Sequence, residues 1–402
     1  MRPFTGTISV NDALGRVMDA TRPLTRIERL EVSGLDGRVL AEAIVADQDV
    51  PAFDRAAMDG YAVRAADVVG ATTSTPVRLQ LCGRIDAGHP HGVEVTPGTC
   101  VQVATGAPLP PGADAVVMVE HTQRDGPDVL IGTSATPRQH VGARGADIRA
   151  GDMVVDAGVH ITPARIGAIA AIGRTHATVF QQPRVAIMCT GDEVISPGVP
   201  LTAGQVYNVN RYTLEALVRR HGGTPVVVPT TGDSLAALNT SLALARDCDL
   251  IVSSGGSSVG EHDLVIDALR QHGEVIFHGV AIKPGKPTVF GRLYQALWLG
   301  LSGYPASCLS NAYIFLVPLL RRMAGLPAWQ PRRVALPLAR RITSPPGRVQ
   351  FYQVRVEGGQ VAPAFKASGD ITSMAHADGY VTVPADETIV EAGTVMEVTM
   401  YD

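Results

Sequence analysis

From Arg184 onward the chain alternates short apolar runs with helix-patterned segments: RVAIMCTGDE, YTLEALVRRHG, TPVVVPT, LAALNTSLALARD, DLIVSSGG, a further helical stretch, LWLGLSG and SNAYIFLVPLLRRMAG. A run with no polar alternation has to be buried on both faces, and a strand is buried that way only where helices cover each side of its sheet. The rhythm therefore predicts an α/β domain built on a parallel-rich sheet. Ligands of such sheets sit beyond the carboxyl ends of the strands. The polar clusters TGDE, SSGGSSVGEHD and LSGYP all fall at those ends, and they are expected to form one site.

The residue types in these clusters point to anion chemistry. Glycines and small hydroxyls after an apolar run let backbone N–H groups approach an oxyanion, so the SSGGSSVG turn is a candidate phosphate cradle. It is neither a Walker loop, lacking GK[ST], nor a GxGxxG turn. A tight turn needing positive φ is the plainer reading of its glycines. Asp192 and Glu193 follow a strand, which sets their charges at the sheet rim, where a metal or a substrate ammonium would meet them; capping of the next helix is the other role open to Asp192. Glu261 and Asp263 lie near a helix start, where capping competes with metal ligation. In AIKPGKP, Lys283 and Lys286 flank a Pro284-Gly285 turn that fixes their separation, as an anion clamp requires.

The rest of the chain supplies context. Its 402 residues call for two to four domains at about 100 to 200 residues each. A formal net charge of -4 shows no global bias toward nucleic acid or anionic membrane. MRPFTGTISVNDAL lacks the apolar core of a signal peptide, and no segment offers a membrane span. A soluble, cytoplasmic protein is expected. Cysteines 82, 100, 189, 248 and 308 include no CxxC pair, so they read as small buried residues, with Cys189 beside the candidate site. The 11 histidines show no HExxH, and no GxSxG nucleophile elbow occurs.

Toward the N-terminus, Val10 to Met18 has helical spacing with Ser9 or Asn11 as cap, and Arg29 to Val45 turns toward strand. From Val50 to about Val141, runs such as VRLQL, TCVQVA and AVVMVE between Gly/Pro/Asp turns read as a β-rich lobe. Loops there carry Asp54, Arg55, Asp59, Thr105 and Asp114. PARIGAIAAIG is a helix with Pro163 in its first turn and Gly173 at its stop, and it is expected to rejoin the N-terminal framework. After Gly325, RVALPL, YQVRVE, YVTVP and VMEVTM predict a compact C-terminal β-domain.

In order and spacing, FDRAAMDGYAVR, TGAPLPPGADAVV, DIRAGD, CTGDE, VSSGGSSVGEHD, AIKPGKP and LSGYPAS resemble the molybdopterin molybdenumtransferase family, the bacterial MoeA proteins and the E domain of gephyrin, over essentially the whole chain. The resemblance implies four domains: a discontinuous framework (1–49 plus 143–179), a β-rich lobe (50–142), an α/β molybdopterin-binding domain (180–326) and a C-terminal β-barrel (327–402). It implies that molybdate is inserted into adenylylated molybdopterin with release of AMP, aided by Mg²⁺. It further implies a homodimer whose site lies where the α/β domain of one subunit faces the β-rich lobe of the other, and transient contact with a molybdopterin adenylyltransferase.

Position by position, Glu193 and Asp263 match the acids linked to the cation and pyrophosphate. Thr190, Gly191 and Asp192 precede them, and Ser254, Gly255, Gly256, Ser257, Ser258, Gly260 and Glu261 match the phosphate loop. Lys283 and Lys286, with Pro284, Gly285 and Pro287, match the anion clamp, Lys286 being the residue for incoming molybdate. Ser302, Gly303, Pro305, Ser307 and Ser368 match further substrate contacts, and Asp147 the acid of DIxxG. Asp59 and Thr105 would act across the dimer interface.

The chain departs from the family's pattern at Ser257 in SGGVSVG, at Ser302 and Tyr304 in LPGNP, at Gly279, where relatives carry a lysine, and at Gln350 and Gln353 in GRxEFxR. Fewer cations weaken oxyanion binding, and Arg348 or Arg355 is expected to compensate. Two other readings share this fold: a scaffolding paralogue without catalysis, and another pyrophosphate-handling enzyme on the same α/β domain.

Overall fold

The structure, a computed structural model, describes residues 6–89, 92–229, 235–255 and 264–401. The chain divides into two compact units, one of Met1–Glu28, Gly37–Val39 and Val179–Asp402, the other of Arg29–Asp36 and Leu40–Thr178.

In the first unit a six-stranded sheet runs in the order Thr224–Val227, Arg184–Cys189, Leu250–Ser254, Ala296–Leu301, Val289–Leu293, Gly273–His278. The first four strands are mutually parallel. The last two are antiparallel, so the sheet is mixed rather than all-parallel. The reason is local: Leu293 pairs with Ala296, and the two-residue link through Tyr294, at φ 53°, can only reverse the chain. Burial is two-sided, as the continuous apolar runs require. Val185, Ile187, Leu299 and Leu301 pack with Leu214, Phe315 and Leu319 on one face, whereas Ala186, Met188, Ile251 and Trp298 pack with Leu238, Val265 and Leu269 on the other.

Helix Val10–Ala20 is capped by Ser9, whose side chain accepts from the Asp12 amide, and it sends Val10, Ala13 and Val17 into the first of those clusters. A second sheet, whose strands other than the first lie beyond Met323, orders Ile282–Lys283, Val349–Glu357, Gly379–Val383, Val395–Met400 and Arg333–Pro337, with Gln360–Pro363 also on Val349–Glu357. All its pairs are antiparallel except the first, and a parallel bridge joins Leu338 to Val361. Its edge strand, Ile282–Lys283, carries one of the two predicted anion-clamp lysines.

The second unit holds a six-stranded sheet in the order Ala115–Met118, Gly60–Val63, Thr99–Val103, Val77–Ile85, Asp128–Ile131, Thr122–Asp125. Gly60 is required by close pairing, since a Cβ there would lie 2.0 Å from the Val117 carbonyl oxygen. Helix Pro163–Ala171 begins with its proline and stops before Gly173, at φ 78°. Cys82 is exposed, against expectation, because it falls on the solvent phase of strand Val77–Ile85; the other four cysteines are buried and all five are free. No helix among the described residues is long and apolar enough to cross a membrane.

His221, at the end of helix Val209–Arg220, is 5% exposed, and neither ring nitrogen has a hydrogen-bond partner. Burial, then Arg321 and Arg220, push its pKa down to about 4. The neutral form is favoured in the fold, so the stability it contributes is full above about 6.5, the unfolded value, and is lost as pH falls toward 4. Urea unfolding across that window should show up to about 3 kcal/mol of loss that His221→Leu removes; an equally steep decline in the variant would contradict this.

Candidate functional site

Strands Arg184–Cys189, Leu250–Ser254 and Ala296–Leu301 end side by side, with Cys189 opposite Ser254 and Ser254 opposite Leu301. Three of the predicted clusters therefore leave the sheet together. The Thr190 amide donates to the Ser254 carbonyl at 3.1 Å and the Gly255 amide to the Leu301 carbonyl at 3.2 Å. Asn210, from the helix that follows TGDE, donates through Nδ2 to Ser254 Oγ at 2.7 Å and to the Gly303 carbonyl at 2.8 Å. Ser254 Oγ donates in turn to the Ser302 carbonyl. Gly255, at φ 91°, leaves no room for a side chain, a Cβ lying 2.7 Å from the Thr190 carbonyl oxygen. Thr190 Oγ1 and Asn210 Oδ1 are buried and unpartnered.

Glu193 is exposed on the turn after Thr190, its carboxylate lying over Gly191, where a Cβ would come within 2.6 Å of Oε2. No helix begins at this turn, so the capping role open to Asp192 falls away; the next helix is capped by Asn208. Cys189 is buried, and its thiol is pushed up to about 11 by that burial, which keeps it protonated and unreactive at neutral pH. Gly256, Ser257, Ser258, Gly260, Glu261 and Asp263 lie outside the described residues. Among those described, no three acidic, histidine or cysteine side chains gather as a metal cage. Mg²⁺ does not need one, since it is commonly held by one or two carboxylates with substrate oxygens, and Glu193 fits as one such donor.

The lysine turn is locked from beneath. Gly285, at φ 95°, sits against Asn311, and a Cβ there would lie 1.9 Å from Asn311 Nδ2. Asn311 Nδ2 donates to the Gly285 carbonyl at 3.0 Å and to Thr288 Oγ1 at 2.8 Å, while Thr288 Oγ1 donates to the same carbonyl at 2.8 Å. The Val280 amide reaches the Lys286 carbonyl at 3.0 Å and closes the loop. Lys283 and Lys286 are half-buried. Burial, then neighbouring Arg348, hold the Lys283 ammonium below its ordinary value. Asn311 ends helix Pro305–Asn311, which starts at the proline of LSGYP, and the Ala306 amide of that helix donates to the Ser368 carbonyl. The first unit thus links the strand ends, the lysine turn and Ser368.

In the second unit Asp59 accepts from the Thr105 amide at 2.7 Å and from Thr105 Oγ1 at 3.0 Å. Those bonds, the backbone one foremost, hold its carboxyl below the usual range. Asp59 and Thr105 form a pair, as expected. Asp147 is exposed and held only by its backbone, its amide donating to the Val50 carbonyl at 3.0 Å. The carboxylates that organise this region are Asp54, which receives Arg138 and the Arg144 amide, and Asp49, which receives Arg144 and the Ala150 amide.

Family models match residues 8–173 as the MoeA N-terminal region (domain I and II), 186–322 as a probable molybdopterin binding domain and 335–401 as the MoeA C-terminal region (domain IV). The molybdopterin molybdenumtransferase 2 of Mycobacterium tuberculosis is 38% identical over 397 residues, 96% of each chain. The molybdopterin molybdenumtransferase of Haemophilus influenzae is 30% identical over 405 residues, 98% of this chain and 99% of its own. A crystal structure of a molybdopterin biosynthesis MoeA protein from Pyrococcus horikoshii superposes with a TM-score of 0.83 at 34% identity, over 99% of this chain and 100% of that one. The chain belongs to the molybdopterin molybdenumtransferase family.

Against the family pattern, the altered positions separate into interior and rim. Gln353 is fully buried, its Nε2 donating to Ser310 Oγ at 3.3 Å, and Gln350 is 1% exposed. Ser302 is buried as well, and so is Ser307, a predicted substrate contact that matches the pattern. Tyr304 is 65% exposed and lies against Gly369. Of the two arginines expected to compensate, Arg355 pairs with Glu357 at 2.6 Å, which leaves Arg348 beside Lys283. Sequence reading missed Asn210, Thr288 and Asn311, since a buried amide that braces a loop leaves no periodic signal.

The lock under the lysine turn is testable by comparing two glycines. Gly285→Ala should cost more than about 3 kcal/mol, combining backbone strain with overpacking. Gly347→Ala, at φ 80° with nothing within 4 Å, should cost about 1 kcal/mol from strain alone. Equal shifts in denaturation midpoint would contradict the role given to Asn311.

Proposed function

We propose that this chain inserts molybdate into adenylylated molybdopterin and releases AMP. As a member of its family it is a molybdopterin molybdenumtransferase of molybdenum cofactor biosynthesis; what is proposed is the bond broken and the residues that break it. The observation that carries the reading is the presence of three adjacent strand ends and a locked lysine turn in one unit. The lysine turn offers positive charge to oxyanions, and the strand ends offer small hydroxyls and glycines that let an oxyanion approach closely.

Hydrolysis of a phosphoanhydride builds negative charge on the departing phosphate, and fixed donors stabilise that charge without reorganising. Thr190, Gly191, Ser254 and Gly255 line the rim from which pyrophosphate oxygens are reached. Lys286 receives molybdate, and Lys283 neutralises the charge that remains. Glu193, with Asp263, holds Mg²⁺, whose chemistry when bound is to polarise the pyrophosphate. The hydrogen bonds from Thr105 keep Asp59 ionised, which suits a carboxylate that orients a cationic or N–H group. The reading includes the four-domain division with a closed C-terminal barrel, a cytoplasmic setting, a homodimer in which Asp59 and Thr105 serve the partner's strand-end site, and transient contact with an adenylyltransferase that supplies the substrate.

Lys286→Ala should abolish molybdate-dependent AMP release while leaving the fold intact, and release at the wild-type rate would refute the assignment. Chelation of Mg²⁺ should stop turnover, with recovery on adding the ion back. If the site is shared between subunits, inactive Asp59→Asn and inactive Lys286→Ala chains should regain about a quarter of wild-type activity when co-expressed. No recovery would place both residues in one subunit's site or in different steps.

A further inference from the structure

Tyr304 stands where the family pattern LPGNP has an asparagine, and its backbone is fixed from both sides. The Tyr304 amide donates to Ser302 Oγ at 3.3 Å, and its carbonyl accepts from the Cys308 amide at 2.8 Å as the first bond of helix Pro305–Asn311. Gly303, just before it, meets the strand-end turn directly: a Cβ there would lie 3.5 Å from Gly255 Cα. Beyond the helix start, one edge of the Tyr304 ring lies beside Gly369, with Cδ1 and Cε1 at 3.6 and 3.9 Å from where a Cβ on that glycine would stand. Gly369 follows Ser368, whose carbonyl accepts from the Ala306 amide at 3.1 Å. The ring is therefore rooted between two loops, and both carry predicted substrate contacts.

A single exposed aromatic is ordinary on a protein surface. What distinguishes this one is its place, 65% exposed and two residues from the buried Ser302 at the strand-end rim. An aromatic ring offers a flat π face on which a planar heterocycle stacks, and an asparagine has no such face. The fixed backbone and the glycine-backed edge lower the cost of ordering the ring against a ligand.

We propose that Tyr304 is a substrate-binding residue whose ring is a stacking platform for a planar nitrogen heterocycle, the adenine or the pterin of adenylylated molybdopterin. The inference rests on the reading of the strand ends as the rim that receives the pyrophosphate, and it extends that reading to the uncharged part of the same molecule. Each end of the pyrophosphate leads to a planar heterocycle, so a platform beside the rim is placed to meet one of them.

Equilibrium binding to the full-length protein tests this with AMP, ribose phosphate and a fluorescent carboxypterin as probes. In Tyr304→Leu, affinity for at least one of the two ring-bearing probes should fall roughly fivefold or more, while affinity for ribose phosphate stays within about twofold of wild type. Tyr304→Phe, which keeps the ring, should bind every probe within about threefold of wild type. A loss for AMP alone assigns the adenine, and a loss for the carboxypterin alone assigns the pterin. Unchanged affinity for both in Y304L overturns the proposal. So does a loss in Y304F as large as that in Y304L, which would mean the hydroxyl is the contact, or an equal loss for ribose phosphate, which would mean the rim itself has shifted. A wild-type protein that binds neither ring-bearing probe overturns it as well. If Y304L does not fold, Tyr304→Asn takes its place with the same expected loss. AMP release that does not depend on molybdate would count against the proposed reaction and leave these affinities readable; molybdate-dependent release with unaltered ring affinities in Y304L would remove the platform and keep the reaction.

Discussion

Two buried side-chain amides hold the first unit's site in shape. Asn210 ties Ser254 to the backbone at Gly303, and Asn311 ties Gly285 to Thr288. Each asparagine stands on a helix that is itself packed into the sheet's core through neighbours such as Leu214 and Phe315. Loops at strand ends would otherwise move independently, because their own backbone bonds are few. Anchoring them to helices transfers the rigidity of close packing to segments that cannot pack. The glycines at 255 and 285 follow from this arrangement, since both adopt positive φ and both face atoms that exclude a Cβ.

Charge is distributed to match. The first unit half-buries Lys283, Lys286 and Arg348, and burial weakens their hydration. The second unit gives Asp59 two donors from one threonine, which stabilises the ionised form. Asp59 is held by hydrogen bonds rather than by an ion pair. Asp54 with Arg138 and Arg26 with Asp249 are ion pairs, and they lie in loops and connections where a paired charge fixes geometry.

What the sequence disclosed divides along the same line. Periodicity revealed the helices Val209–Arg220 and Pro163–Ala171 and the runs around Val185 and Leu250, because burial of one face or two leaves a repeating trace. The rule that ligands meet strand carboxyl ends located TGDE, SSGG and LSGYP together before any coordinates. The reversal at Tyr294 escaped, because a two-residue turn without Asn-Gly or Gly-Gly carries little local signal. The bracing asparagines escaped for a different reason: their partners are backbone carbonyls and hydroxyls distant in sequence, and only the fold brings them within reach. Cys82 was misjudged because residue type was weighed over strand phase.

The orphaned polar atoms give the deepest link between fold and chemistry. Among the buried atoms without partners are Thr190 Oγ1, Asn210 Oδ1, Asn311 Oδ1 and Gln350 Oε1, which belong to residues at the strand ends or beside the lysine turn. A buried unsatisfied group costs about 1–3 kcal/mol, and a small apolar residue at any of these positions would remove that cost. Other unpartnered atoms lie elsewhere, such as both His221 ring nitrogens and Ser344 Oγ, but the four at the strand ends and the lysine turn stand where stability can yield to function. Three of the four are amides that use their donor side on structure or stay neutral beside a cation. An amide gives hydrogen-bonding capacity without charge, and that property lets a site brace its loops while reserving its positive charge for the anion it has to hold.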